Sequence, residues 1–131
     1  MPVKKLEHYT IRCSDLERTK DFYCNILGLE VGPRPPFAFR GYWLYAGDTP
    51  SVHLVDRAET QPVSGKRHTA EDTGPVDHVA FLARDLEATI AMLRDHDVPF
   101  REGSLQGVMH QIFLADPDNI TVELTFREGE G

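Results

Sequence analysis

An internal repeat constrains the fold of this chain more than any other feature of its sequence. EHYTIRCSDLERT (7–19) aligns with DHVAFLARDLEAT (77–89), and the offset of 70 positions persists towards the C-terminus without a net gap. The matched residues further along are Leu44 and Leu114, Asp48 and Asp118, Val52 and Val122, and Leu54 and Leu124. A repeat of this length indicates two copies of one supersecondary unit, because each copy alone is too small to bury its apolar face.

Each copy begins with a predicted strand and helix. LEHYTIRC (6–13) alternates polar and apolar residues in the manner of a half-buried strand. Ser14 and Glu17 form a capping-box pattern in front of a predicted helix over about 15–27, which ends at a glycine. In the second copy Asp85 is the predicted N-cap of the helix.

Three short strands are predicted to follow each helix. They lie at about 29–32, 41–46 and 51–56 in the first copy, and at about 99–102, 110–115 and 120–126 in the second. GDTP (47–50) and DPDN (116–119) are predicted to be matching hairpin turns, with Asn119 in the left-handed conformation usually taken by glycine. Each copy is therefore expected to be a βαβββ unit.

The predicted fold class is α+β, with two tandem βαβββ modules forming a curved mixed sheet around a central metal-binding cavity. With 131 residues, the chain is long enough for one domain built from two such modules. The modules are expected at about 4–56 and 76–127. The polar stretch between them, about 57–75, contains Gly and Pro and lacks periodicity, so it is predicted to be a surface linker that includes His68.

Four side chains of metal-ligand type occupy two pairs of repeat-equivalent positions: His8 with His78, and His53 with Glu123. Because successive side chains in a strand alternate faces, all four are expected to point away from the apolar residues that cover the helices. Each taken alone is more often an ordinary strand residue bonded to a neighbour. If the modules pack with pseudo-twofold symmetry, however, the four can converge on one divalent ion. Two His and one Glu leave positions open for substrate or dioxygen, and His53 would be a fourth ligand or a nearby base.

Arg12 and the segment GPRPPFAF (32–39) are further candidates for contacts with a substrate. Arg12 lies on the same strand face as His8 and could pair with an anionic group, or it could be a surface charge at the end of a strand. The three prolines of 32–39 favour an extended segment that could frame a ligand site or simply connect two strands.

Two more candidates for substrate binding come from later strands. Tyr45 belongs to an aromatic cluster with Tyr42 and Trp43, which must partly pack but could also line a pocket. His110 and Gln111 are adjacent on a strand of the second module, so one should face the cavity and the other should not. We take His110 as the candidate, although the sequence leaves the strand register open.

The charge and cysteine content narrow the classes of partner. A net charge of −7 disfavours nucleic acid and anionic membranes, which attract basic proteins. No apolar run reaches the length of a signal peptide or a membrane span, so a cytoplasmic location is expected. Cys13 and Cys24 are too few for a Cys-type zinc site and are interpreted as structural thiols.

The chain resembles the vicinal oxygen chelate superfamily, which includes glyoxalase I, extradiol dioxygenases, fosfomycin-resistance enzymes, methylmalonyl-CoA epimerase and the metal-free bleomycin-resistance proteins. The resemblance covers nearly the whole chain. Its carriers are EHYTIRCSDLERTKDFYCNILGLEV (7–31), DHVAFLARDLEATIAMLRDHDVPF (77–100) and HQIFLADPDNITVELTF (110–126).

This resemblance implies that His8, His78 and Glu123 are the shared metal ligands. The fourth position of the family is a glutamate tied to proton transfer in glyoxalase I, and it falls here on His53. This departure argues against classical glyoxalase I activity and leaves a glyoxalase-like activity as the expectation. Asn119 likewise replaces the glycine common in the DPxG turn of the family.

The activity implied is that of a divalent-metal-dependent lyase or isomerase that chelates a small substrate through adjacent oxygens, with His53 and Glu123 as catalytic residues. Zn, Ni, Fe, Mn and Co are all open as the metal. An extradiol-type ring-cleaving dioxygenase is the first alternative, and a non-catalytic protein that binds a drug or toxin is the second. Small members of the family usually dimerise, so a homodimer is expected.

Overall fold

The computed structural model describes residues 2–63 and 75–129. Most of the predicted linker, including His68, lies outside these residues. The chain divides into two compact units, Met1–Arg67 and His68–Gly131. No helix within the described residues is long and apolar enough to cross a membrane.

The first unit contains one helix and a four-stranded mixed sheet. Its elements are β1 (Tyr9–Cys13), α1 (Leu16–Asp21), a π-helical turn (Phe22–Ile26), β2 (Glu30–Gly32), β3 (Gly41–Ala46), β4 (Thr49–Asp56) and a 3-10 turn (Arg57–Glu59). The strand order is β1-β4-β3-β2; β1 and β4 are parallel, and the other pairs are antiparallel.

The second unit repeats this topology. Its elements are β5 (Val79–Ala83), α2 (Leu86–Asp95), β6 (Arg101–Leu105), β7 (Met109–Ala115) and β8 (Thr121–Arg127). The strand order is β5-β8-β7-β6, again with one parallel pair, β5 and β8. The α+β class and the two tandem βαβββ modules are thereby confirmed.

The helix starts differ in detail from those predicted. The capping box of Ser14 and Glu17 is wrong: Asp15 is the N-cap of α1, and its carboxylate accepts a hydrogen bond from the Arg18 N–H at 3.2 Å. The Glu17 carboxylate instead accepts from the Tyr42 hydroxyl at 2.5 Å, because α1 packs on the sheet. Asp85 is the N-cap of α2 as predicted, but its conformation is left-handed and its side chain makes no capping hydrogen bond.

Alternation along the strands separates a core face from a second face in each unit. In β4, Val52 and Leu54 are fully buried, and they belong with the helix residues Leu16 and Tyr23 to the apolar core of the first unit. The residue between them, His53, therefore projects from the opposite face of the sheet. The second unit has an equivalent core: Leu93, Ile112, Leu114, Val122, Leu124 and Phe126.

The two hairpin turns do not match in length. Gly47 and Asp48 alone connect β3 to β4, whereas residues 116–120 connect β7 to β8. Asn119 has a φ of 65°, as predicted for the left-handed position. The Asp116 carboxylate holds the longer turn, since Oδ1 accepts from the backbone N–H groups of Asp118 and Ile120, each at 2.8 Å.

Candidate functional site

His53 lies in the middle of a stack of three aromatic rings on the second face of the first sheet. It pairs across the β3–β4 hairpin with Trp43, and the two rings are parallel, with centroids 4.0 Å apart and planes 6° apart. The His8 ring, directly before β1, is also stacked on His53, with centroids 3.8 Å apart and planes 15° apart. Enclosed in this way, His53 is only 8% exposed.

The Nε2 atom of His53 is buried and meets no hydrogen-bond partner among the described residues. Burial lowers the pKa of His53 below its ordinary value, and the neighbouring His8 lowers this pKa further. A buried ring nitrogen without a partner costs about 1–3 kcal/mol of folding free energy. Such an atom is usually explained by a water, an ion or a substrate that it binds.

A carboxylate contacts the Nδ1 atom of His8. This atom lies 2.9 Å from Oε1 of Glu7. A carboxylate that accepts from Nδ1–H selects the tautomer in which Nε2 carries a lone pair, which is the arrangement commonly found at metal-binding histidines. Glu7 therefore favours the tautomer of His8 in which Nε2 carries the lone pair.

In the second unit Glu123 and His78 form the corresponding pair. Glu123 is 7% exposed, and its Oε2 accepts from Thr125 Oγ1 at 2.5 Å and from Gln111 Nε2 at 3.3 Å. Its Oε1 lies 3.2 Å from His78 Nε2. His78 Nδ1 in turn lies 2.7 Å from Oδ2 of Asp77. Two atoms of ligand type, a carboxylate oxygen and an imidazole nitrogen, thus face each other.

Glu7 and Asp77 occupy repeat-equivalent positions and make equivalent contacts. Each is the residue immediately before a candidate metal-ligating histidine, and each places a carboxylate oxygen at Nδ1 of that histidine. The prediction from the sequence did not include them, although the aligned dipeptides EH and DH carried the signal. Trp43 was assigned only to an aromatic cluster, and its position opposite His53 depends on the hairpin register.

The structure brings the four predicted metal ligands together as two pairs, one in each unit. Within neither unit do three or more His, Cys, Asp or Glu side chains of the described residues form a group able to hold a metal ion. The convergence of all four on one ion stays a prediction.

The register of β7 and β8 places Gln111, and not His110, on the face of Glu123, and a substrate role for His110 stays a prediction. Gln111 pairs with Thr125, and its amide donates to the Glu123 carboxylate. His110 pairs with Phe126 on the opposite face, where its Nε2 lies 3.8 Å from Oε1 of Glu128. Of His110 and Gln111, it is therefore Gln111 that shares a face with Glu123.

Arg12 and Tyr45 are engaged in contacts within the first unit. Arg12 Nε donates to Thr60 Oγ1 at 3.2 Å, and its Nη2 donates to the carbonyls of Arg57 at 3.1 Å and Thr60 at 2.7 Å. The Tyr45 hydroxyl donates to the carbonyl of Pro33 at 2.5 Å. A substrate role for either stays a prediction, and it would require these contacts to be exchanged for contacts with the ligand.

Comparison with known proteins gives a consistent family. The sequence matches the family model described as Glyoxalase/Bleomycin resistance protein/Dioxygenase superfamily over residues 5–124. It is 28% identical, over an alignment of 144 positions, to the lactoylglutathione lyase of Schizosaccharomyces pombe, a match that covers 95% of this chain and 48% of the yeast protein. The chain thus spans about half the length of that relative.

Two solved structures illustrate the likeness of fold. The fosfomycin resistance protein FosX of Listeria monocytogenes superposes with a TM-score of 0.70 at 20% identity, covering 95% of this chain and 93% of the other. An antibiotic-binding protein from Streptomyces sp. CB03234 superposes with a TM-score of 0.68 at 23% identity, covering 98% and 99% of the two chains. A fosfomycin resistance protein and an antibiotic-binding protein therefore share this fold.

Proposed function

The chain belongs to the Glyoxalase/Bleomycin resistance protein/Dioxygenase superfamily, and from this membership we propose that it is a divalent-metal-dependent, glyoxalase-like enzyme. The reaction proposed is that of a lyase or isomerase acting on a small compound with two adjacent oxygens. The observation that carries the proposal is the buried Nε2 of His53, which meets no partner among the described residues and lies beside the His8 ring.

The donor set fits a divalent ion. The proposed ligands are His8, His78 and Glu123, with His53 as the fourth ligand or as a base; imidazole and carboxylate together suit Zn, Ni, Fe, Mn and Co. His8 and His53 are stacked with planes 15° apart, so the lone pairs of the two rings lie in nearly parallel planes. Ligation of one ion by both would therefore require one of the rings to rotate.

The residues around the ligands have definable tasks in this proposal. Glu7 and Asp77 hold the tautomer of the two histidines, and Thr125 and Gln111 orient the Glu123 carboxylate. Trp43 limits the access of water to His53. Lewis acidity towards the substrate oxygens is the chemistry that a bound divalent ion supplies.

His53 and Glu123 are the proposed catalytic groups. A neutral imidazole with a buried, unpartnered nitrogen can accept a proton from a substrate carbon or hydroxyl and return it. The Glu123 carboxylate accepts a hydrogen bond from Thr125 and lies close to His78, so it is held in one orientation. Its role would be to fix the position of the substrate relative to the other proposed ligands.

A ring-cleaving dioxygenase is the second candidate. The observation in its favour is His53 itself, because a histidine at this position retains the trio of two His and one Glu but lacks the carboxylate tied to proton transfer in glyoxalase I. Three protein ligands leave coordination positions for a catechol and dioxygen on Fe(II) or Mn(II).

Metal reconstitution followed by activity assays tests the proposal. The metal-free protein would be loaded separately with Zn, Ni, Fe(II), Mn and Co, and the bound metal measured by elemental analysis. Isomerisation of a hemithioacetal panel without oxygen uptake supports the glyoxalase-like function, whereas oxygen uptake with a catechol panel supports the dioxygenase. Tight binding of small molecules with neither metal uptake nor turnover would instead indicate a binding protein.

Replacement of His8 provides the matched variant. His8→Ala is expected to abolish metal uptake, because it removes a proposed ligand atom. His96→Ala is the control, since His96 caps the end of α2 and its Nδ1 lies 2.9 Å from the Met92 carbonyl. Unaltered metal content in His8→Ala would contradict the proposed site.

The proposed setting is a cytoplasmic homodimer with a small-molecule substrate. Neither Cys13 nor Cys24 forms a disulfide within the described residues. Light scattering coupled to size exclusion would test the dimer directly.

A further inference from the structure

A cationic side chain shares the face of the first sheet that carries His8 and His53. Arg34 belongs to the segment between β2 and β3, and its guanidinium lies over Gly41, the first residue of β3. A Cβ at Gly41 would meet the backbone oxygen of Leu54 on β4 first, and it would lie 3.2 Å from Nη2 and 3.4 Å from Cζ of Arg34. Gly41 and Trp43 point to the same face because they are two residues apart in one strand. Since Trp43 is stacked on His53, Arg34 lies on the His53 face.

The guanidinium of Arg34 has no carboxylate partner among the described residues. Its Nε is buried without a hydrogen-bond partner, and its Nη1 and Nη2 share one distant acceptor, the Phe39 carbonyl, at 3.4 Å each. Arg40, in the same segment, instead contacts the carboxylates of Asp56 and Glu59. Within the part of the chain that the structure describes, Arg34 thus differs from Arg40 in having no carboxylate counter-ion.

Two phenylalanines hold Arg34 in place. Its Cζ lies 5.1 Å from the centroid of the Phe37 ring and 5.5 Å from that of Phe39. The two rings are themselves stacked, with centroids 5.1 Å apart, and Phe37 is 46% exposed. Cation–π contacts of this kind orient a guanidinium but do not neutralise its charge. The N–H groups of Arg34 are thus directed but not saturated, beside an accessible aromatic ring.

We propose that Arg34 binds an anionic oxygen group of the substrate, and that Phe37 packs against an aromatic or apolar part of the same molecule. The planar fork of a guanidinium matches both carboxylates and phosphonates, which each offer two oxygens to parallel N–H donors. This proposal rests on the proposed function. It adds that the substrate of that site is an anion.

Trp43 provides a direct readout of binding, because it is the single tryptophan of the chain and lies on the same face as Arg34. The metal-free protein would be titrated with benzoate, phenylphosphonate and the neutral analogue benzamide, with Trp43 fluorescence as the signal. Salt at about 0.15 M would screen non-specific attraction between exposed charges. Benzoate and phenylphosphonate then distinguish the two kinds of anion.

Binding of at least one anion, tighter than that of benzamide, is expected for the wild type. Arg34→Met should weaken anion binding roughly 10- to 100-fold, the loss typical of hydrogen bonds to a charged group, and leave benzamide binding unchanged. The anion affinity of Arg34→Lys should lie between those of the wild type and Arg34→Met, because lysine retains the positive charge but not the planar pair of N–H donors. Arg18→Met, at an exposed position on α1, is the control and should bind like the wild type.

Equal anion affinity in the wild type and Arg34→Met would overturn the inference, as would anions that bind no better than benzamide or produce no fluorescence change. Urea midpoints of the variants establish whether they are folded. If Arg34→Met is not folded, the comparison of anion binding is made between Arg34→Lys and the wild type. Metal content is measured in parallel and should be the same in Arg34→Met as in the wild type. Failure of the metal site and failure of the anion site are therefore separate results.

Discussion

His53 illustrates how neighbouring side chains determine the chemical state of a single residue. The same imidazole on an open strand would be hydrated, but here Trp43 covers one face of the ring and His8 the other. Removing water lowers the pKa of His53 and leaves Nε2 without a partner among the described residues. The cost of that burial is offset by stacking, and it leaves a nitrogen available as a ligand or a base.

The carboxylates at Nδ1 give a prediction at the scale of single residues. Glu7→Gln and Asp77→Asn should each lower the affinity for the divalent ion by about tenfold, because loss of a partner that orients a ligating histidine typically has this effect. Competition with a chromophoric chelator measures the affinity. Glu30→Gln, an exposed acid on β2, should have no effect. Affinities equal to that of the wild type in both test variants would show that these carboxylates do not position the histidines.

The segment after β4 shows how distant elements are joined by side chains. Arg12 of β1 donates to the backbone and side chain of residues in this segment, while Arg40, just before β3, contacts Asp56 and Glu59. Asp56 also accepts from the Ala58 N–H at 2.9 Å. The end of β4 is thereby tied to both neighbouring strands, which keeps the strand that carries His53 in place.

Asp56 predicts a dependence of stability on pH. The Ala58 N–H, and after it Arg40, lowers the pKa of Asp56 in the folded protein, so the folded state favours the carboxylate. This stabilisation is present above the unfolded pKa of about 3.9 and is lost as the pH falls through the lower folded value. Asp56→Asn should therefore have a lower urea midpoint than the wild type at pH 7, and the difference should shrink below about pH 4.

The control for this experiment is Asp48→Asn, in the exposed turn between β3 and β4. Its midpoint should follow that of the wild type at every pH. A difference between Asp56→Asn and the wild type that stays constant from about pH 7 to pH 3 would contradict the assignment of the shift.

The β7–β8 turn gives a second prediction at the scale of an element. Asn119 has a φ of 65° and is exposed. Asn119→Ala should lower the free energy of unfolding by about 1 kcal/mol, because a Cβ without a compensating polar group disfavours the left-handed conformation. Asn119→Gly should change it by only a few tenths of a kcal/mol. Equal stabilities of the Ala and Gly variants, measured by urea denaturation, would argue against strain at this turn.

For the whole molecule, the division of ligands between the two units has consequences for stoichiometry. Each unit contributes one pair of the proposed ligands, and within neither unit do the described residues form a group of three such side chains able to hold a metal ion. Two ligands alone bind divalent ions weakly, since protein sites normally use three or four. The proposal therefore requires both pairs for each ion.

We expect one ion per chain, and we expect His8→Ala and His78→Ala each to abolish its uptake. Elemental analysis of the dialysed protein gives the stoichiometry. Two independent sites would instead bind two ions per chain and lose half of them in each variant. Mixing the two variants after partial unfolding adds a further test: recovery of up to half of the uptake indicates sites built across a dimer, and no recovery indicates sites within one chain.

Prediction from the sequence succeeded where the relevant signal is local. The repeat and the alternation of apolar residues located all eight strands to within a few residues and indicated the βαβββ order. The left-handed Asn119 followed from turn chemistry. The capping box failed because the helix begins one residue later than the pattern implied, with Asp15 as its N-cap and the Arg18 N–H as the capped donor.

The sequence by itself determined the α+β class and the duplicated modules, and it marked the repeat-equivalent positions that carry side chains of ligand type, because periodicity and repetition are properties of neighbouring positions. The tertiary structure decided which side chains share a face and which are already engaged. Strand register placed Gln111 rather than His110 beside Glu123, and the hairpin placed Trp43 against His53. The tertiary structure also bonds Arg12 to the segment after β4, and it leaves Arg34 without a counter-ion among the described residues. These outcomes depend on contacts between residues far apart in the chain, and such contacts form only when the strands pair.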